Sequence, residues 1–154
     1  MSLQLRRARP GDALPIRKLL RELGYDTRSD APGGTARNFD ETTAQVVRHP
    51  EAAVFVAVDG VDVVGYVALS HRPQMRLGGR LAVVDELVVS EARRGQGIGT
   101  QLLEAALAHA RSLYCVRIEV NQRRERDSFM RRFYQNRGFS EVDSALLRMD
   151  FAQP

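Results

Sequence analysis

The chain has 154 residues, 44% of them hydrophobic and 27% charged, which suits a single domain over residues 1–154 and excludes a disordered or low-complexity protein. Twenty-three Lys and Arg against 19 Asp and Glu leave a net charge of +4, which tolerates an anionic partner such as a phosphorylated cofactor. The basic residues are nearly all arginine, Lys18 being the sole lysine, and they are spread along the chain, which argues against nucleic acid as the partner.

"LQLRRA" (Leu3–Ala8) alternates like a strand. Asp12 then caps a helix, "ALPIRKLLREL", which Gly24 stops. Tyr25–Arg37 holds Pro32, Gly33 and Gly34 and reads as a loop. "FDETTAQVVRH" is a second helix, ended by Pro50. "AAVFVAV" and "VDVVGYVALS" are β-branched runs on either side of Asp59-Gly60, the signature of a hairpin. "HRPQMRLGG" reads as a connection and "RLAVVDELVVS" as a long strand. After Arg93–Gly99, an apolar stripe at helical spacing runs through Ile98, Leu102, Leu103, Ala106, Leu107, Ala110 and Leu113. "CVRIEV" is a further strand, "RDSFMRRFYQNR" a helix ended by Gly138, and "FSEV" with "ALLRMDF" a closing strand pair. No internal repeat or linker divides this order.

Three glycines, Gly95, Gly97 and Gly99, sit on alternate positions in "RRGQGIGTQLL", between a strand and a helix. The first N–H groups of a helix lack intrahelical partners and carry partial positive charge, so phosphates bind there. Glycine removes the Cβ atoms that would hold a phosphate away, and Arg93 and Arg94 add charge. The spacing excludes a mononucleotide P-loop, because no Lys-Ser/Thr pair follows. It also differs from the G-x-G-x-x-G of a dinucleotide fold. The spacing does satisfy [QR]-x-x-G-x-[GA] at Arg94, Gly97 and Gly99. A second mark, FY-x(3)-GF, lies at Phe133–Phe139.

With these two motifs in this order, the sequence resembles the GNAT superfamily of acetyl-CoA-dependent N-acetyltransferases over essentially its whole length. The runs "RHPEAAVFVAVDGVDVVGYVAL", "DELVV" and "VNQRRERDSF" are similar to its small-molecule, aminoalkylphosphonate branch. The resemblance implies an α/β (α+β) fold: a mixed, mostly antiparallel sheet of roughly six to seven strands, splayed at the cofactor cleft and flanked by about four helices. It implies a pyrophosphate held by Arg94, Gly95, Gln96, Gly97, Ile98, Gly99 and Thr100. It implies a pantetheine arm lying along Leu87, Val88 and Val89, and a bulge in that strand whose free N–H polarises the thioester. Asn121 and Ser128 are further cofactor-side candidates; a strand-ending turn and a helix cap are their structural alternatives.

The implied activity is acetyl transfer from acetyl-CoA to a primary amine of a small molecule, by direct attack in a ternary complex. The attacking amine must be neutral and sheds a proton, so an acceptor near pH 7 helps. Asp85 and Glu86 interrupt an apolar strand, "AVVDELVV", and neighbours in a strand face opposite ways. Glu86 is the expected acceptor, with Asp85 in reserve or structurally paired. The family's tyrosine, Tyr134 here, is the expected acid for the leaving thiolate; its alternative is an aromatic of the core. The substrate pocket is expected from Tyr25–Phe39, Arg72–Arg80 and Gln122–Asp127. Arg72, Arg76, Arg80, Arg123, Arg124 and Arg126 would favour an anionic substrate, whereas Asp26, Asp30, Asp40 and Glu41 would favour a polycation.

A protein acetyltransferase acting on N-termini or lysines, and a non-catalytic acyl-CoA-binding module, are the competing readings. The three histidines, His49, His71 and His109, lack metal-ligand spacing, so no metal is expected. The lone Cys115 excludes an internal disulfide and suits a reducing cytoplasm. No signal peptide and no membrane partner are expected; a homodimer is compatible.

Overall fold

A computed structural model describes residues 2–25 and 38–151 of the chain. They fall into two compact units, Met1–Val120 and Asn121–Pro154. The first unit holds strands β1 (Leu3–Arg7), β2 (Ala52–Asp59), β3 (Asp62–Gln74), β4 (Gly79–Val89) and β5 (Cys115–Val120), with helices α1 (Ala13–Glu22), α2 (Phe39–Arg48) and α3 (Ile98–Ser112). The described residues of the second include a short helix, α4 (Asp127–Met130), and a 3-10 turn at Gln135–Arg137.

The five strands form one sheet in the order β1-β2-β3-β4-β5. Neighbours are antiparallel except β4 and β5, which run parallel because α3 connects them. α1 covers one face: Ile16 and Leu19 pack with Val54, Val56, Tyr66, Ala68 and Val88, joined by Val46 and Val47 of α2. α3 covers the other, burying Ile98, Leu102, Leu103, Ala106 and Ala110. It lies so close to β3 that a Cβ on Gly65 would sit 3.1 Å from Leu102 Cδ1 and 2.9 Å from the Val88 carbonyl. Only glycine fits there, which is what a glycine inside an apolar strand signals.

Asp12 stands at the N-cap of α1 but makes no cap bond with its side chain. Its carboxylate takes a two-point fork from Arg6, at 2.8 and 2.9 Å, and the Arg9 N–H at 2.7 Å. The cap on α2 is Asn38, whose Oδ1 accepts from Glu41 N at 3.0 Å.

Three expectations are corrected. "HRPQMRLGG" is mostly strand: β3 runs on to Gln74 and β4 begins at Gly79. Pro73 masks this in the sequence. Pairing with β2 ends at Ser70, so Pro73 lies where β3 has only β4 beside it and its missing N–H breaks no ladder. The helix expected over 126–137 breaks after one turn. Arg132, at φ 57°, closes α4: Arg132 N bonds to Phe129 O and Phe133 N to Ser128 O, both at 2.9 Å. Finally, the closing strand pair is missing among the described residues, so the sheet has five strands rather than six or seven. Val142, Leu146, Leu147, Met149 and Phe151 stay exposed. Apolar alternation makes a segment competent for a sheet; a ladder partner makes it a strand, and none pairs with this one among the described residues.

Candidate active site

The end of β4 and the turn after it hold most of the expected site. Pairing of β4 with β5 stops at Val84↔Val120, while β4 continues along β3 to Val89. Asp85–Val89 therefore pair on one side only within this unit, because β5 itself ends at Val120. Leu87, Val88 and Val89 lie on this stretch, with Val88 buried in the α1 face.

The bulge is present too. The β3–β4 register reads Ala68↔Glu86 and then Leu69↔Val84, so Asp85 is the extra residue. A bulge sets two residues against one and undoes the alternation. As a result Asp85 and Glu86 share a face instead of pointing apart. Tyr66 and Ser70, four residues apart on β3, mark that face. The Tyr66 hydroxyl donates to Glu86 Oε2 at 2.8 Å, and the Ser70 hydroxyl is close enough to Asp85 to favour its ionised form.

Both carboxylates are partly open to solvent. Burial nonetheless raises both above the usual carboxylate range. For Glu86 the Tyr66 bond opposes the rise and Asp85 adds to it; for Asp85, Ser70 and the charge of Arg72 oppose it. Tyr66, 1% exposed, keeps its proton because burial and then Glu86 both disfavour a phenolate.

Beyond β4 the chain makes a tight turn, Glu91–Arg93, and enters α3 through the glycines. Gly95 and Gly97 have φ of 75° and 79°, the left-handed region in which side chains are strained. A Cβ at either would meet nothing within 4 Å, so the backbone conformation and the room above it require glycine, not crowding. Gln101 N bonds to Gly97 O at 3.1 Å. Among the described residues, Gly95, Gln96, Gly97, Ile98 and Gly99 donate no backbone hydrogen bond. This bare, positively polarised helix start fits a pyrophosphate. The arginines divide. Arg94 gives its Nε–H to the Val89 carbonyl at 3.1 Å, while Arg93 pairs with the buried Asp59, so its charge is neutralised within the fold.

The C-terminal unit carries the remaining candidates. Asn121 is exposed. Ser128 does not cap α4, whose N-cap is Arg126; it accepts from Gln122 Nε2 at 2.6 Å. Tyr134 is 7% exposed, edge-on to Phe133 and Phe139 at 5.0 and 5.4 Å, and burial pushes its hydroxyl up to about 12.

Of the arginines considered for substrate, Arg80 is engaged by His71 Nδ1 at 3.1 Å and Glu51 at 3.2 Å, Arg123 by Glu125 and Arg124 by Glu141. Asp40 faces Arg17 at 3.5 Å. Asp26, Asp30 and most of the Tyr25–Phe39 segment lie outside the described residues. Sequence reasoning missed Tyr66, Ser70 and Asp59. Tyr66 read as one more apolar strand residue, and only the register of β3 against β4 brings its hydroxyl to Glu86.

A mixed sheet opened along one bulged strand, which leads into a bare helix start, defines an α/β enzyme that holds a phosphorylated cofactor. Residues 15–139 match the model of the acetyltransferase (GNAT) family, and the chain belongs to that family. It is an acyltransferase that uses acetyl-CoA as co-substrate. A search of curated protein sequences finds no match. Among solved structures, it is similar to a transcriptional regulator from Bacillus halodurans C-125, with 23% identity and a TM-score of 0.82 over 97% of this chain and 100% of that one. Glucosamine-6-phosphate N-acetyltransferase from Arabidopsis thaliana superposes with a TM-score of 0.79 at 16% identity, over 97% and 99% of the two chains. AAC(6')-Iy, solved with the bisubstrate analog CoA-S-monomethyl-acetylneamine, gives 0.76 at 16% identity over 98% and 99%. Among the described residues no helix is long and apolar enough to cross a membrane, and no group of three or more His, Cys, Asp or Glu could hold a metal ion.

Proposed function

We propose that this acetyltransferase acts on a primary amine of a small molecule, by direct attack within a ternary complex. The observation that carries the reading is the bulge at Asp85, which sets two carboxylates on one face with Glu86 held by Tyr66. The neighbouring folds support the choice of acceptor: one belongs to an enzyme of glucosamine-6-phosphate, another holds an acetylneamine analog.

When bound, acetyl-CoA supplies the acetyl group as a thioester. The glycine turn binds its pyrophosphate through backbone N–H groups, and Leu87–Val89 pair with its pantetheine arm. The bulge N–H acts as an oxyanion donor, a device whose removal typically costs about 10²–10³ in rate. Glu86 takes the proton that the amine nitrogen sheds as the N–C bond forms and the C–S bond breaks. Its raised carboxyl makes it a better acceptor near neutral pH than an ordinary glutamate. Tyr134, protonated at neutral pH, gives the departing thiolate its proton; support for this role is the FY-x(3)-GF motif.

A single catalytic domain over the chain is supported by the family match, which reaches from residue 15 to residue 139 and so into both units. The lone Cys115 suits a reducing compartment such as the cytoplasm.

The test is a panel of small primary amines and of peptides with free N-termini or lysines, each supplied with acetyl-CoA, reading thiol release. Turnover confined to small amines supports the proposal. Turnover confined to peptides overturns the choice of acceptor. Acetyl-CoA binding without release from any amine makes the chain a binding module.

A further inference from the structure

The ion pair between buried Asp59 and half-buried Arg93 lies outside the chemistry described so far. Asp59 is the last residue of β2, at the hairpin turn, and its side chain is only 5% exposed. Arg93 ends the tight turn just before the glycines. The contact joins one Arg93 amino group to Asp59 Oδ2. Asp59 Oδ1 and Arg93 Nε are both buried without a hydrogen-bond partner among the described residues. A two-point fork would have satisfied both, as it does between Arg6 of β1 and Asp12 at the start of α1.

Such a pair is a poor stabiliser. Desolvating two charges is expensive, and a single contact with two unsatisfied atoms recovers little of it. What the contact does supply is position. It crosses from the β2–β3 turn to the root of the glycine turn, where other ties converge. Ser90 N bonds to Val64 O at 2.8 Å, and Val64 is itself the extra residue of a β3 bulge, since Ala57↔Gly65 is followed by Val58↔Val63. Glu91 N bonds to Glu22 Oε2 at the end of α1, at 2.8 Å. These ties fix backbone before the turn. Arg93, tied to Asp59, and Arg94, whose Nε donates to the Val89 carbonyl, are the last held side chains before Gly95 and Gly97, whose own conformations carry no side chain to hold them.

We infer that Asp59 is a positioning residue for the cofactor: through Arg93 it fixes where the glycine turn presents its N–H groups to the pyrophosphate. This rests on the glycine turn being the pyrophosphate seat. Asp59 touches no cofactor atom in this account. Its effect reaches acetyl-CoA through the chain direction at Arg94–Gly95, and small misplacement of preorganised donors is costly.

The experiment measures acetyl-CoA binding by calorimetry and thermal melting for wild type, Asp59→Asn, Arg93→Gln, the double variant and Gly97→Val. Each single change at the pair should weaken acetyl-CoA binding about tenfold, within the usual range of coupling between connected sites. The double variant should lose no more than the worse single, because the two act as one device. A pair that only holds the fold would lower the melting temperature and leave the dissociation constant of the folded protein as in wild type; that result overturns the inference. Gly97→Val separates the two layers. If it binds acetyl-CoA like wild type, the seat itself is wrong; if it binds poorly while Asp59→Asn binds normally, only the positioning role fails. Should Asp59→Asn not fold, Arg93→Lys keeps a cation against Asp59 but not the guanidinium geometry, and the same weakening is expected of it.

Discussion

The Tyr66 hydroxyl donates to Glu86 Oε2 across 2.8 Å, from a ring that is 1% exposed to a carboxylate at the end of the sheet. The bond favours the ionised form of Glu86 against the burial that raises it. Tyr66→Phe should therefore raise the Glu86 carboxyl further. If Glu86 must be ionised to accept the amine proton, the acid limb of the kcat/KM–pH profile moves to higher pH, with rates converging on wild type in alkali. A profile that stays in place would show that Glu86 is not the group titrating there.

Removing the acceptor outright tests the division between the carboxylates. Glu86→Gln should lower turnover by about 10²–10⁴-fold, the range of a positioned base, and the loss should shrink in acid, where Glu86 of the wild type is itself protonated. Asp85→Asn should cost less rate, since Ser70 and Arg72 both interact with that carboxylate as structural partners would. Steady-state rates for the two variants in the opposite order would exchange their roles.

Gly97→Val meets two obstacles. The φ of 79° is strained for any side chain, and the added atoms occupy the space above the helix start. Acetyl-CoA affinity, read by calorimetry, should fall by at least about tenfold, as expected when a preorganised anion seat is lost. The fold should be retained, because a Cβ there meets nothing within 4 Å.

Tyr134→Phe preserves the edge-on contacts with Phe133 and Phe139 and removes only the hydroxyl. The melting temperature should stay near wild type while turnover falls about 10²–10⁴-fold, and the loss should shrink with an acyl donor whose thiol is more acidic. Undiminished turnover in a folded variant would leave Tyr134 as a core aromatic.

His71 provides a stability test away from the site. It is 5% exposed and accepts from Arg80 Nε at 3.1 Å, so it must be neutral at Nδ1. Burial and then Arg80 lower it below 6.5, with His49 lowering and Glu51 opposing; His109, edge-on at 6.1 Å, is lowered by burial, Arg7 and His71. Both histidines are neutral in either state at high pH. As the pH falls below 6.5 the unfolded chain binds protons first, so stability drops until the folded pKa values are passed. The melting temperature should be level above neutral pH and decline in mild acid. His71→Gln/His109→Gln should flatten that decline; an equally steep slope in the double variant would assign it to the carboxylates.

The sequence by itself determined the elements whose signals are local. Hydrophobic periodicity placed α1, α2, α3 and the first hairpin, and the glycine spacing placed the bare start of α3, because backbone conformation and the lack of Cβ atoms are properties of the residues themselves. Tertiary structure decided everything that depends on pairing. The bulge at Asp85 is a register difference between β3 and β4; without it Asp85 and Glu86 would face opposite ways. Arg93 looked like a free charge for the phosphate until the fold set Asp59 against it. Pro73 looked like a break until pairing with β2 proved to stop short of it. The segment after Gly138 carries a strand's pattern without a ladder to join. A strand and an ion pair are each made by a partner distant in sequence, and neither hydrophobic alternation nor charge names that partner.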